Sequence, residues 1–227
     1  MNTALEQLSD EHQILAGTVR DFANSVVAAC AVEHDQEHTF PYDVVKQMGV
    51  MGLFGLPFPE EVGGMGGDYL SLCLAIEELA RVDQSVAITL EAAVSLGSAP
   101  IFRFGNQDQR ELYLPALVSG EALGAFGLTE AGAGSDARGL RTRAELSDVA
   151  WIINGSNAFI TNSGTAITSL ITVPCVTGEN SDGPKEISTI TVPAAAQALI
   201  VDPPCRHAGV GGPDRPGLTV NKSASPA

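Results

Sequence analysis

Gly127-Leu128-Thr129-Glu130-Ala131-Gly132-Ala133-Gly134-Ser135-Asp136-Ala137-Arg138-Gly139 follows directly on the apolar pair Ala125-Phe126. It gathers small residues, two hydroxyls and flexible backbone into one turn. Glycine has no Cβ and tolerates positive φ, so backbone N–H groups in such a turn can approach an anionic or polar ligand closely. A second stretch follows at Trp151-Ile152-Ile153-Asn154-Gly155-Ser156-Asn157-Ala158-Phe159-Ile160-Thr161-Asn162. Between them the two stretches mark where the chain changes character.

Upstream, the pattern is helical. Leu8, His12, Leu15, Val19, Phe22 and Val26 recur at steps of four and three, with Ser9 or Asp10 available as N-cap. Pro41 opens a short helix through Val44, Val45 and Met48, and the Pro- and Gly-rich segment from Pro57 to Gly67 reads as loop. Helices are predicted from about Tyr69 to Val82, with Glu77 placed to pair with Arg81, from Ser85 to Phe104, and from Gln107 to Val118. Pro115 is expected to kink or shorten the last one. From Ala122 onward β-rich runs appear at Val149–Ile153, Ile167–Val173 and Ile187–Val192. Helices first and strands after give an α+β class, with a helical domain over 1–121, a β-domain over 122–220 and a frayed tail over 221–227.

Composition limits the partners. The formal charge of the 227 residues is −15, which opposes nucleic acid and anionic membrane alike. No apolar run reads as long enough to span a bilayer, and no secretory leader is visible, so no membrane insertion is expected. Cys30, Cys73, Cys175 and Cys205 form no C-x-x-C pair, which argues against zinc or a disulfide framework and for a reducing cytoplasmic setting. His34 and His38 stand one turn apart beside Glu33, Asp35 and Glu37, and a solvated helix end explains them better than a metal site.

Several landmarks, in order, resemble the acyl-CoA dehydrogenase family. They are Leu53-Phe54-Gly55-Leu56-Pro57 with Glu60-Glu61-Val62-Gly63-Gly64, then Phe104-Gly105-Asn106, Tyr113-Leu114-Pro115 and Ser119-Gly120-Glu121, then Gly127–Gly139, and finally Lys185-Glu186-Ile187-Ser188-Thr189. The resemblance implies an antiparallel, barrel-like β-domain and an FAD cofactor held on two strands. Carried over, Phe126, Leu128 and Thr129 lie along the flavin ring. Gly134 and Ser135 form the turn, Ser135 meeting the pyrophosphate and the acyl-CoA substrate. Phe159, Ile160 and Thr161 form the second strand. From the residues alone, Thr129 and Ser135 are equally readable as turn caps and Phe159 as core. Glu130 is readable as a structural carboxylate on loop amides or as a ligand contact, and Arg138, Arg141 and Arg143 as charges on a solvated strand rather than as partners for CoA phosphates.

The implied reaction is α,β-dehydrogenation of an acyl-CoA thioester, with hydride passing to FAD and electrons leaving to an electron-transfer flavoprotein. In this family a C-terminal helical domain supplies the glutamate base, much of the substrate pocket and contacts across the oligomer. The present sequence lacks it and reads as truncated. No catalytic residue is therefore assigned, and a homo-oligomer or a partner chain is expected to supply the remaining helices. Asn157 stands where the family usually has lysine. The competing readings are a non-catalytic remnant or interaction subunit, and a flavin monooxygenase or nitroalkane oxidase relative on the same fold.

Overall fold

The computed structural model describes residues 8–148, 150–179 and 185–196, with the backbone of 199–201 and 218–221. Val149, Cys205 and residues 222–227 of the expected tail lie outside the described residues.

The helical layer comprises α1 (Asp10–Phe22), α2 (Ala28–Glu37), α3 (Tyr42–Val50), α4 (Tyr69–Ala80), α5 (Gln84–Glu91), α6 (Ala99–Phe104) and α7 (Gln107–Ser119). Two wider π segments, Ala23–Val27 and Ala92–Ser98, join α1 to α2 and α5 to α6. The helix starts are written in the sequence. Ser9 accepts from the His12 amide, Asp68 from that of Ser71, and Asp83 from those of Ser85 and Val86. Asn106 and Gln109 form a reciprocal capping box at α7. α7 runs past Pro115 to Ser119, so the proline does not shorten it. Arg81 pairs with Glu78 rather than with the expected Glu77. Glu78 is 5% exposed and also takes Arg20 from α1, so an arginine of α1 and the one just past the end of α4 converge on one buried carboxylate.

The strands are β1 (Leu123–Phe126), β2 (Arg143–Leu146), β3 (Trp151–Asn157), β4 (Thr168–Glu179), β5 (Lys185–Pro193), β6 (Leu199–Val201) and β7 (Leu218–Asn221). They form one sheet in the order β1-β4-β2-β3-β7-β6, with β5 on the other side of β4. The sheet is mixed. β1 and β2 each run parallel to β4, whereas the remaining pairs are antiparallel. The barrel-like unit is thus not antiparallel throughout, because α7 delivers the chain into β1 alongside a strand that begins more than forty residues later.

Two cores sit on opposite faces of this sheet. The larger is helical and reaches Leu123 and Leu170; the smaller holds Ala125, Ile153, Ile160, Ile171, Val173, Cys175 and Val192. Burial raises the Cys175 thiol pKa to about 12, with the charge of Glu130 adding to it, so this cysteine is an inert core residue. A register shift between Leu123 and Gly124 resets the alternation, so Gly124 pairs with Leu170 and Ala125 with Ile171. At this junction helix and strand touch backbone to backbone. A Cβ on Gly97 would lie 2.8 Å from the Gly124 carbonyl oxygen, and one on Gly124 would lie 2.7 Å from Gly97 Cα.

Two helical stretches, Asp10–Glu37 and Gln84–Phe104, are long and apolar enough to cross a membrane by length and composition only, a test that core helices also pass. The apolar window of the second is 61% buried inside the fold, as befits a core helix.

Candidate functional site

The turn after β1 and the segment after β3 meet. The Ala158 amide donates to the Thr129 carbonyl at 2.8 Å, and Ile160 Cδ1 lies 3.1 Å from where a Cβ on Gly127 would stand. Gly127 in turn donates to the Thr172 carbonyl on β4 at 2.9 Å. The expected Phe126–Thr129 and Phe159–Thr161 groups are therefore neighbours, joined by the Ala158–Thr129 main-chain bond and by the Ile160 side chain against Gly127.

Phe126 ends β1 half-buried, Leu128 is 38% exposed, and Thr129 is half-buried. Phe159, Ile160 and Thr161 are not in a second strand. β3 stops at Asn157, and these residues form the loop and turn beyond it. The reason is local backbone: Phe159 has φ 60° and Asn162 φ 66°, both incompatible with an extended strand. Ile160 is completely buried in the smaller core and presents no surface to a ligand. Phe159 instead exposes 49% of its surface. A bulky residue held left-handed costs on the order of 1–3 kcal/mol, and such strain clusters at functional sites.

Asn162, which sequence reasoning quoted without giving it a role, fixes this loop. It is fully buried, its Nδ2 donates to the Thr89 carbonyl on α5 at 3.0 Å, and its own carbonyl accepts from Thr168 Oγ1 at 2.6 Å. Its signal was available, since asparagine is among the few non-glycine residues that tolerate left-handed backbone.

In the turn itself, Glu130 and Ala133 bond each other's main chain at 3.1 Å, and Gly134 and Ser135 are exposed. Gly132 and Gly134 have open space where a Cβ would go, and neither has positive φ. Nothing in the described chain requires glycine at either position. Their smallness leaves an unfilled approach to the backbone, which fits a bound phosphate or similar group.

Glu130 is structural. Its two carboxylate oxygens accept the Arg141 amide at 2.8 Å and the Thr142 amide at 2.7 Å. Desolvation pushes its pKa up, but the bonds from Thr142 and Arg141 and the Lys185 charge outweigh that and hold it below the usual carboxylate range. Arg138 and Arg141 are exposed, and Arg143 sits on β2 in an exposed pair with Glu179 at 3.4 Å. Asn157, at the lysine position of the resemblance, is 3% exposed with its Nδ2 unpartnered among the described residues.

Residues 9–121 match the acyl-CoA dehydrogenase N-terminal domain, and residues 125–221 match the middle domain of the same family. The chain belongs to the acyl-CoA dehydrogenase family. It is 41% identical over 221 residues to "Probable acyl-CoA dehydrogenase YngJ" of Bacillus subtilis, covering 97% of this chain and 58% of that protein. The structure of butyryl-CoA dehydrogenase from Megasphaera elsdenii superposes with a TM-score of 0.89 at 35% identity, over 97% of this chain and 58% of the other. An acyl-CoA dehydrogenase complexed with FAD from Bacillus anthracis gives 0.86 at 33% identity, over 97% and 38%. This acyl-CoA dehydrogenase family chain thus spans about half the length of the curated relatives it matches. Solved relatives of the family hold FAD, and the open glycine turn beside two strand ends is compatible with such a group.

Proposed function

We propose that this chain forms the FAD- and thioester-facing part of a cytoplasmic enzyme that α,β-dehydrogenates an acyl-CoA and passes electrons to an electron-transfer flavoprotein. The observation that carries the reading is the Ala158–Thr129 main-chain bond beside the open turn at Gly132 and Gly134. It supports the reading by joining the two separate stretches that carry the residues implied by the resemblance. FAD, when bound, supplies the acceptor for the hydride leaving the substrate β-carbon.

The chain's own contribution is binding and orientation. Phe126, Leu128 and Phe159 offer an apolar wall for a ring, and the hydroxyls of Thr129 and Thr161 offer bonds to its polar edge. Ser135 and the amides around Gly134 are placed in solvent at the turn, where they would take a pyrophosphate or the substrate's own polar atoms. Ile160 contributes as core packing beneath the loop. Removal of the α-proton needs a positioned base. Glu130 does not supply it, because both its oxygens are occupied by amides.

Val50 and Leu112 are 85% and 67% exposed. Such exposure of large side chains supports an assembly in which the additional length present in the relatives, or another subunit, covers them. The test is an FAD titration followed by quenching of flavin fluorescence. Weak but saturable binding is expected, reduced roughly 2- to 10-fold by each of Thr129→Val, Ser135→Ala and Thr161→Val, the effect of one lost hydrogen bond. Acyl-CoA turnover with an artificial electron acceptor is expected to be negligible for this chain by itself. Unchanged FAD affinity in all three variants would refute the assignment.

A further inference from the structure

A cavity of about 580 Å³ opens where α6 and α7 meet the sheet. Strand register explains its lining. Thr172 on β4 pairs with Phe126 on β1 and with Thr191 on β5, so all three present to one face, and Thr189 follows two residues from Thr191. The intervening Ile171 and Val173 turn to the opposite face and enter the smaller core. Phe104 and Trp151 complete the aromatic part of the wall. No charged residue is among the described lining residues. Thr172 is 1% exposed, and its hydroxyl has no hydrogen-bond partner among the described residues. A buried hydroxyl without a partner carries an unrelieved desolvation cost, so a ligand that reaches it gains more than one meeting an already bonded group.

We propose that this cavity is a second ligand site, which takes a neutral, compact apolar molecule bearing one hydrogen-bonding group, with the Thr172 hydroxyl as the partner of that group. The volume lies within the range of small-molecule pockets, and the lining has their usual composition of apolar wall and few polar points. An anionic ligand is disfavoured twice: it would lose hydration with no cation to replace it, and the chain's net charge of −15 repels its approach. Of the residues assigned to the flavin, only Phe126 borders the cavity. The inference therefore goes beyond the flavin reading and does not depend on it.

Trp151 is the chain's single tryptophan and lines the cavity, so its emission reports occupancy directly. The probes are 1-hexanol and hexanoate at pH 7, matched in length and different in charge. Saturable change in Trp151 emission is expected with 1-hexanol and none with hexanoate. Thr172→Val keeps the shape and removes the hydroxyl, and is expected to weaken 1-hexanol binding roughly 2- to 10-fold while circular dichroism stays unchanged. Thr191→Phe, which fills the space from the partly exposed strand, is expected to abolish the response. A non-saturating drift, an equal response to hexanoate, or full affinity in either folded variant would overturn the proposal. None of these outcomes alters the FAD titration, so failure here and failure of the flavin reading are separable.

Discussion

Gly124→Ala tests the backbone contact between the helical layer and the sheet. The added methyl would stand 2.7 Å from Gly97 Cα and 3.1 Å from the Gly97 carbonyl carbon. Carbon atoms in contact prefer about 3.5–4.0 Å, so β1 and the π segment must part by roughly 1 Å. Both obstructing atoms are main chain, and no side chain can rotate away. Overpacking of this kind costs typically about 1–3 kcal/mol, and a site that cannot relax belongs at the upper end. Against this, alanine restricts the unfolded chain and returns about 0.4–1 kcal/mol. A net loss near 2 kcal/mol is expected, which corresponds to a fall in Tm of about 4–8 °C for a chain of this size. Urea unfolding followed by circular dichroism at 222 nm measures it, with the midpoint shifting and the slope unchanged. A loss below about 0.5 kcal/mol would show that helix and sheet are not in backbone contact. Gly134→Ala is the internal control, since its Cβ meets open space; its stability should stay within about 0.5 kcal/mol of the parent.

Other consequences follow from the same structure. Phe159→Gly relieves a left-handed backbone while removing a half-exposed ring, so stability should stay within about 1 kcal/mol of the parent, against the 3–5 kcal/mol of a buried phenylalanine truncation; a loss of the latter size would place the ring in the core. Desolvation raises the Glu91 carboxyl above its usual range against an opposing Ser95 bond. The folded state then binds the proton more tightly, and stability falls as pH rises from the ordinary carboxylate pKa through the raised one. Glu91→Gln should therefore be more stable than the parent at pH 7, an advantage that disappears by pH 4; the same difference at both pH values would contradict it. Glu78 is shifted the other way, its bond from Arg20 and then Arg81 overcoming burial. Its contribution is complete above the unfolded carboxylate pKa of about 4.3 and is lost as pH falls through the depressed value. Acid unfolding of Glu78→Gln should accordingly be less steep below that pH than that of the parent, and identical slopes would rule the bridge out as a source of acid sensitivity.

What the sequence determined by itself was local. Helix periodicity over Leu8–Val26, the cap at Ser9 and the change of pattern at Ala122 all depend on residues a few positions apart, and all have counterparts in the structure. Glu130 lay between the two: the sequence left a structural carboxylate and a ligand contact both open, and the amides of Arg141 and Thr142, eleven and twelve residues on, decide for the first. Pairings across the fold were decided by tertiary structure. Glu78 rather than Glu77 takes Arg81 because Arg20, 58 residues earlier, approaches the same carboxylate. The left-handed backbone at Phe159 ends β3 early, and Asn162 anchors that turn only because α5 passes beneath it. The register shift at Gly124 turns Phe126 and Thr172 toward the helices instead of the smaller core. Strand alternation is visible in a sequence, but which face meets which layer is set by contacts between residues distant along the chain, and a one-residue shift reverses every side chain that follows.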